Sequence, residues 1–340
     1  MRPDPGRQRP PRPPMLRRWL HAVVSKNGFA HWLAVLLAAI VAGFGLGLLM
    51  FAPLQPPPAL SSAAPAETRP IIPVETASIA AIDARRGDGT AVFRLDVAPG
   101  VLVLDFPDLH PQALMLNRVA ALTEKAAMPH DRILPEPELW DRIRKAGKEP
   151  DRYYYGHDYR VADLARFFRL AEAQHMPLNP FETWLRDLLD QEGWLRDGAN
   201  GALISIPGPA GDIDATVRTV IFRHELSHAV YFTDPAYVAL TKNLWKDRLT
   251  EDERAAMRTF LGEDGYDKAN EDLMANEGQA YLIHTRDPRY FAPSMIGMTE
   301  ARAAELRAKF IDAIAEPWLR DSALGLAPVS VGTSSGPEHP

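Results

Sequence analysis

From Asn27 to Ala66 the chain carries no Lys, Arg, Asp or Glu, and within that run Trp32 to Ala52 is almost wholly apolar. As a helix this stretch is about 31 Å long, enough to cross a bilayer. It therefore divides the chain into a short leading segment, a membrane span and a large remainder. The 31 residues before it hold seven basic side chains against one acid, and the first basic residue after it is Arg69. The positive-inside bias places the N-terminus in the cytoplasm and the remainder outside. A cleaved signal peptide has a shorter apolar core, about 7–15 residues, that meets its small-residue cleavage site directly. Here Pro53 and Pro56 to Pro58 separate the span from Ala64-Pro65-Ala66. An uncleaved anchor in a bacterial inner membrane, with a periplasmic domain behind it, is the expectation. Ala39, Gly43 and Gly47 form a small-xxx-small stripe of the kind that pairs two such helices into a homodimer.

The chain thus divides into a basic, Pro-rich cytoplasmic segment (1–31), the transmembrane anchor (32–52), a Pro/Ala-rich linker (53–90), a folded domain (91–321) and a flexible tail (322–340). Net charge is −6, and the leading segment alone carries +6, which leaves −12 on the rest. An acidic exterior argues against nucleic acid as a partner. The absence of cysteine excludes disulfides and thiolate metal sites.

Periodicity predicts a mainly helical α+β domain. Val101 to Phe106 reads as a strand, and so does Gly201 to Pro207, the latter either as a plain core strand or as a sheet edge able to pair with an extended peptide. Helices are expected over Pro111–Ala127, Asp158–Gln174, Phe181–Glu192, Pro235–Lys246, Glu251–Leu261, Asn270–His284 and Thr299–Glu316. One more helix runs from about Asp212 through Tyr231, capped by Asp212 or Asp214 and stopped by Asp234-Pro235.

That last helix contains His224-Glu-Leu-Ser-His228, an instance of H-E-x-x-H. Residues four apart on a helix point nearly the same way, so both imidazoles can reach one metal ion. Glu225 is turned about 100° aside, where it can touch a metal-bound water without binding the metal. A catalytic zinc takes three protein ligands and keeps a fourth position open. Over Asn270–His284, Leu273, Glu277, Ala280 and His284 share one stripe, and a carboxylate on a core-facing stripe is costly unless paired or bound to metal. Glu277 is the expected third ligand. Glu271, at the helix start, suits a solvated carboxylate facing the macrodipole. Gly278 suggests close approach of this helix to the motif helix.

H-E-x-x-H followed by a later helix bearing Asn276-Glu277-x-x-Ala280 resembles the gluzincin group of zinc metallopeptidases, over roughly residues 213–284. The resemblance implies a zincin-like domain with a small sheet and a central motif helix, the metal lying between a sheet-bearing lobe and a helical lobe. It implies zinc held by His224, His228 and Glu277, with Glu225 as general base in peptide hydrolysis. Several gluzincins carry Asp four residues after the ligand Glu as support for a zinc histidine, but here that residue is Tyr281. Asn276, Asp272 or a backbone carbonyl are the substitutes. Metzincins need a third His where this chain has Asp234. Tyr281 and His284, one and two turns beyond Glu277, are candidate catalytic donors to the oxyanion, and Tyr155 and His157 are further candidates.

The reading is a membrane-anchored zinc peptidase acting on a protein or peptide substrate, an endopeptidase in class. Two rivals are a non-catalytic zinc-binding or interaction domain of the cell envelope, and a structural envelope protein in which HELSH is accidental. Intact Glu225 favours the first, and metal analysis separates the last from both.

Overall fold

The computed structural model describes residues 71–325. The expected anchor at 32–52, the basic segment before it and most of the tail lie outside these residues. Among those described, no helix is long and apolar enough to cross a membrane.

The first elements are β1 (Glu75–Ala77), α1 (Ile79–Ala84), β2 (Ala91–Leu95) and β3 (Val101–Phe106). Then come α2 (Leu109–Thr123), α3 (Glu136–Lys145), β4 (His157–Arg160), α4 (Val161–Ala173), α5 (Pro180–Gln191) and β5 (Ala202–Pro207). The motif helix is α6 (Ala215–Thr233), followed by α7 (Pro235–Asn243), α8 (Glu251–Glu263), α9 (Glu271–Gln279), α10 (Glu300–Ala313) and α11 (Pro317–Leu324). A π-turn extends α7 over Leu244–Arg248, and a second extends α9 over Ala280–His284. The α+β, mainly helical expectation holds.

The strands form one sheet in the order β1-β2-β3-β5-β4. β3 and β5 run parallel, and β4 runs antiparallel to β5 at the edge. All six residues of β3 and all six of β5 are buried, as near-continuous apolar strands covered on both faces should be, with Asp105 and Ser205 the polar exceptions. β3 alternates its side chains between two cores. Leu102, Leu104 and Phe106 pack against α2, α4 and α5, while Val101 and Val103 pack with Ile79 and Ile82 of α1 and with Val217, Ile221 and Leu226 of α6. A third core is purely helical and draws on α7 to α11 together with Val230 and Tyr231 of α6. The motif helix thus belongs to both halves, sheet-bearing and helical.

Of the two readings of Gly201 to Pro207, the plain core strand is the one found: β5 is an interior strand, and the sheet edge at this end of the domain is β4. Two expectations are corrected here. The stretch Asp158–Gln174 does not start as a helix, because Asp158 lies in β4 and α4 begins only at Val161. The linker does not reach residue 90: β1 pairs with β2, and Ile79 and Ile82 of α1 are core residues. A buried ion pair fastens that early segment. Arg218 of α6, fully buried, donates to Asp105 Oδ1 (2.8 Å), Pro207 O (2.8 Å) and Ile82 O (2.7 Å), while Arg85 reaches the other oxygen of Asp105 at 3.0 Å. At the opposite end, α11 carries buried Ser322 and Ala323, so the folded part runs past 321.

Candidate metal centre

Asp214 caps α6, its Oδ1 accepting from the Val217 amide at 2.8 Å. From that start the helix runs 19 residues without interruption through the motif. It is buried on most sides, and Glu225, Leu226, Ser227 and His228 are all inside. Asn270 caps α9 in the same way, at 3.2 Å from the Leu273 amide, and Glu277 falls in its buried second turn.

The two helices bring three donors together. His224 Nε2 lies 3.8 Å from Glu277 Oε2, and His228 Nε2 lies 3.8 Å from Glu277 Oε1. The donor atoms of all three residues fall within 4.8 Å of one another. Two ligands of a tetrahedral zinc, each about 2.1 Å from the ion, are about 3.4 Å apart. The two histidine–carboxylate separations, 3.8 Å each, are within about half an ångström of that figure.

Both imidazoles are turned the right way by their outer nitrogens. His228 Nδ1 meets Asn276 Oδ1 at 3.0 Å, an acceptor that fixes the proton on Nδ1 and leaves Nε2 free. His224 Nδ1 meets Thr285 Oγ1 at 2.8 Å; that hydroxyl donates to Ala280 O at 3.0 Å, so it accepts from the ring. Of the three substitutes for the histidine support, Asn276 is the one found. Asp272 instead binds Tyr231 Oη (2.7 Å), Lys242 and Arg160. The candidate Glu271 accepts from Trp245 Nε1 and Arg258, away from the histidines.

Zinc fits this donor set. His228 Nε2, Glu277 Oε2 and Glu225 Oε2 are buried without a hydrogen-bond partner, the state expected of atoms prepared for a cation. Two imidazoles and one carboxylate are also the ligands of one recurrent class of catalytic zinc site. Electrostatics point the same way. Burial, then the charges of Asp158, Glu277 and Glu124, push the Glu225 carboxyl well above the usual range. Burial holds the His224 imidazole low. In His228 burial works downward, but the carboxylates of Asp158 and Glu277 outweigh it and its pKa is raised. Glu277 is drawn below the usual range because the two histidines overcome its burial. So many buried carboxylates at one spot are costly unless positive charge is supplied there.

No protein-family model, curated protein or solved structure matches this chain. The site therefore rests on its own geometry.

The other candidate residues have partners of their own. Tyr281 sets its ring edge-on to His224, centroids 4.8 Å apart, and packs on Phe260 and Phe291. His284 is buried with Nε2 on Tyr237 Oη at 2.9 Å; that hydroxyl donates to Gln279, whose amide reaches Ser227 of the motif helix. The π-turn inserts one residue after Ala280 and shifts the phase of every later position. Thr285, not His284, thereby comes round to His224. Tyr155 donates to Asp212 at 3.3 Å, and His157 is buried with Nδ1 on Tyr159 Oη at 2.8 Å. Gly278 makes its close approach to Trp245 of the first π-turn, where a Cβ would stand 3.0 Å from the indole, and not to α6.

Two residues at the site are not evident from the sequence. Thr285 is hidden by the π-turn. Asp158, on edge strand β4, lies with Oδ2 at 3.9 Å from His228 Nε2 and groups with Glu225 and His228 within 4.8 Å. By position alone it reads as an ordinary acid opening a helix.

Proposed function

We propose that this chain is a membrane-anchored, zinc-dependent peptidase whose ion is held by His224, His228 and Glu277. The observation that carries the reading is the convergence of these three donors, two with their outer nitrogens already engaged, beside a buried carboxylate that does not join the set.

Bound zinc lowers the pKa of its water towards about 7 and polarises a scissile carbonyl. Glu225 is the proton carrier: its Oε2 has no protein partner, so it is free to take the proton of the attacking water and to pass it to the leaving amine. Asn276 and Thr285 keep each ring from rotating, and that fixed orientation is what a hydrolytic site needs from its surroundings. Thr285 does so through the π-turn that closes α9.

On this reading the full chain, solubilised in detergent, binds about one zinc per molecule and cleaves an unstructured protein such as casein. Glu225→Gln keeps the metal and loses hydrolysis, while His224→Ala loses both. Retained cleavage by Glu225→Gln overturns the assignment of the base. The span at 32–52 tethers the domain to the outer face of a bacterial inner membrane, N-terminus inside. A tag fused to the C-terminus should accordingly be cut by protease added to spheroplasts, and a protected tag reverses the topology.

A further inference from the structure

His284 closes the π-turn that follows Glu277, and no step of the hydrolysis uses it. It is an imidazole buried with one ring nitrogen unpartnered, which costs free energy. Burial holds its pKa well below the usual value, so the ring is neutral and carries one proton. Its neighbours decide which nitrogen carries it.

His284 Nδ1 has no hydrogen-bond partner among the described residues, and Nε2 meets Tyr237 Oη at 2.9 Å. A proton on Nδ1 would be a buried donor with no acceptor, so the proton sits on Nε2 and is given to Tyr237. Tyr237 Oη then donates its own hydrogen to Gln279 Oε1, at the 2.7 Å usual for O–H···O. With its oxygen engaged, Gln279 turns its amide hydrogens the other way. They reach Ser227 Oγ at 3.0 Å, which in turn donates to His224 O at 2.7 Å, and they face Asn276 Oδ1 at 3.5 Å. The last separation is long for a full bond, yet it decides what Asn276 presents. Facing hydrogens from Gln279, Asn276 offers its oxygen and not its own NH2. That oxygen is the atom that takes the Nδ1 proton of His228 at 3.0 Å.

The chain thus has one self-consistent direction, from His284 through Tyr237 of α7 and Gln279 and Asn276 of α9 to His228 of α6. No member is more than 4 % exposed, so water does not compete for these bonds. Reversed, the chain would leave a proton on His284 Nδ1 unpaired and set the Asn276 amide hydrogens against His228 Nδ1. His228 would then carry its proton on Nε2, the nitrogen that must be bare to bind a metal. Resting on the zinc-site reading, we infer that His284 is a positioning residue: acting through Tyr237, Gln279 and Asn276, it selects the ring form of His228 that can bind zinc.

Variants of the full chain, solubilised in detergent, test this. Tyr237→Phe and His284→Leu each break the chain, and zinc affinity by chelator competition should fall about tenfold in each. Asn276→Asp offers an oxygen whichever way it turns, so on that background Tyr237→Phe should have no further effect. A merely structural role for Tyr237 would give the same loss on both backgrounds. Nitrogen-15 NMR of the zinc-free wild type, labelled at histidine, depends on no variant folding. It should show His284 protonated on Nε2 and His228 on Nδ1. A proton on His284 Nδ1, unchanged affinity in both single variants, or an undiminished loss on the Asn276→Asp background overturns the inference. A wild-type chain that takes up no zinc removes the proposed function and this inference together. Wild-type binding and cleavage with indifferent Tyr237 and His284 variants removes this inference alone.

Discussion

At the scale of single residues, the site is a matter of which nitrogen carries the proton. Each metal-facing Nε2 is available only because the opposite Nδ1 gives its hydrogen to a protein acceptor, Asn276 for His228 and Thr285 for His224. Asn276→Ala and Thr285→Val should each weaken zinc binding by about 10- to 100-fold while leaving the fold intact. Chelator competition, with circular dichroism as the control, measures this. Unaltered affinity in both would mean the rings are held by packing alone. The H-E-x-x-H pair and Glu277 are legible from spacing and from the cost of an apolar-stripe carboxylate. Asn276 is within reach because it adjoins the ligand. Thr285 is not, since a position eight residues beyond Glu277 falls off an α-helical stripe and only the π-turn brings it round to His224.

At the scale of elements, what decides the site is how two helices and one strand end. α9 runs into a π-turn, and that extra residue moves His284 onto Tyr237 and brings Thr285 to His224. β4 places His157 and Asp158 on opposite faces, the first towards Tyr159 and the interior, the second towards the metal donors. The strand is hard to read because four residues joined directly to a strong amphipathic helix have no periodicity of their own to set against the helix's. Its burial has a consequence for acid stability. Burial, with Lys125 nearby, lowers the His157 pKa from 6.5 to about 3. The folded protein takes up this proton only near pH 3, the unfolded chain near 6.5. Stability is therefore complete above pH 6.5 and is lost as pH falls towards 3, by an amount on the order of a few kcal/mol. Denaturant midpoints taken from pH 7 to pH 4 should decline, and His157→Gln should flatten the decline. Equal slopes in both proteins would show that other groups carry the acid sensitivity.

At the scale of the whole molecule, the sequence locates α6, α8 and α10, each opened by a side-chain cap at Asp214, Thr250 or Thr299, and passes over the shorter α1, α3 and α11. β3 is readable as a strand from the apolar run Val101 to Leu104. The start of the folded unit is not, because the proline- and alanine-rich composition of residues 53–90 conceals β1 and α1. What ties that segment in is the Arg218 and Asp105 pair, a long-range contact invisible to local pattern. Arg218→Met should cost about 3–5 kcal/mol, since it takes a buried cation from Asp105 and a donor from three carbonyl oxygens. Urea unfolding measures it, and a loss under about 1 kcal/mol would show that Arg85 alone suffices for Asp105.

The central claim is that α6 and α9 are held together around one ion. A crystal structure of the zinc-loaded protein, with anomalous scattering recorded at the zinc edge, tests it most directly. A single peak about 2.0–2.2 Å from His224 Nε2, His228 Nε2 and the Glu277 carboxylate is the predicted result. No peak among those three side chains, or an ion bound elsewhere, would contradict it.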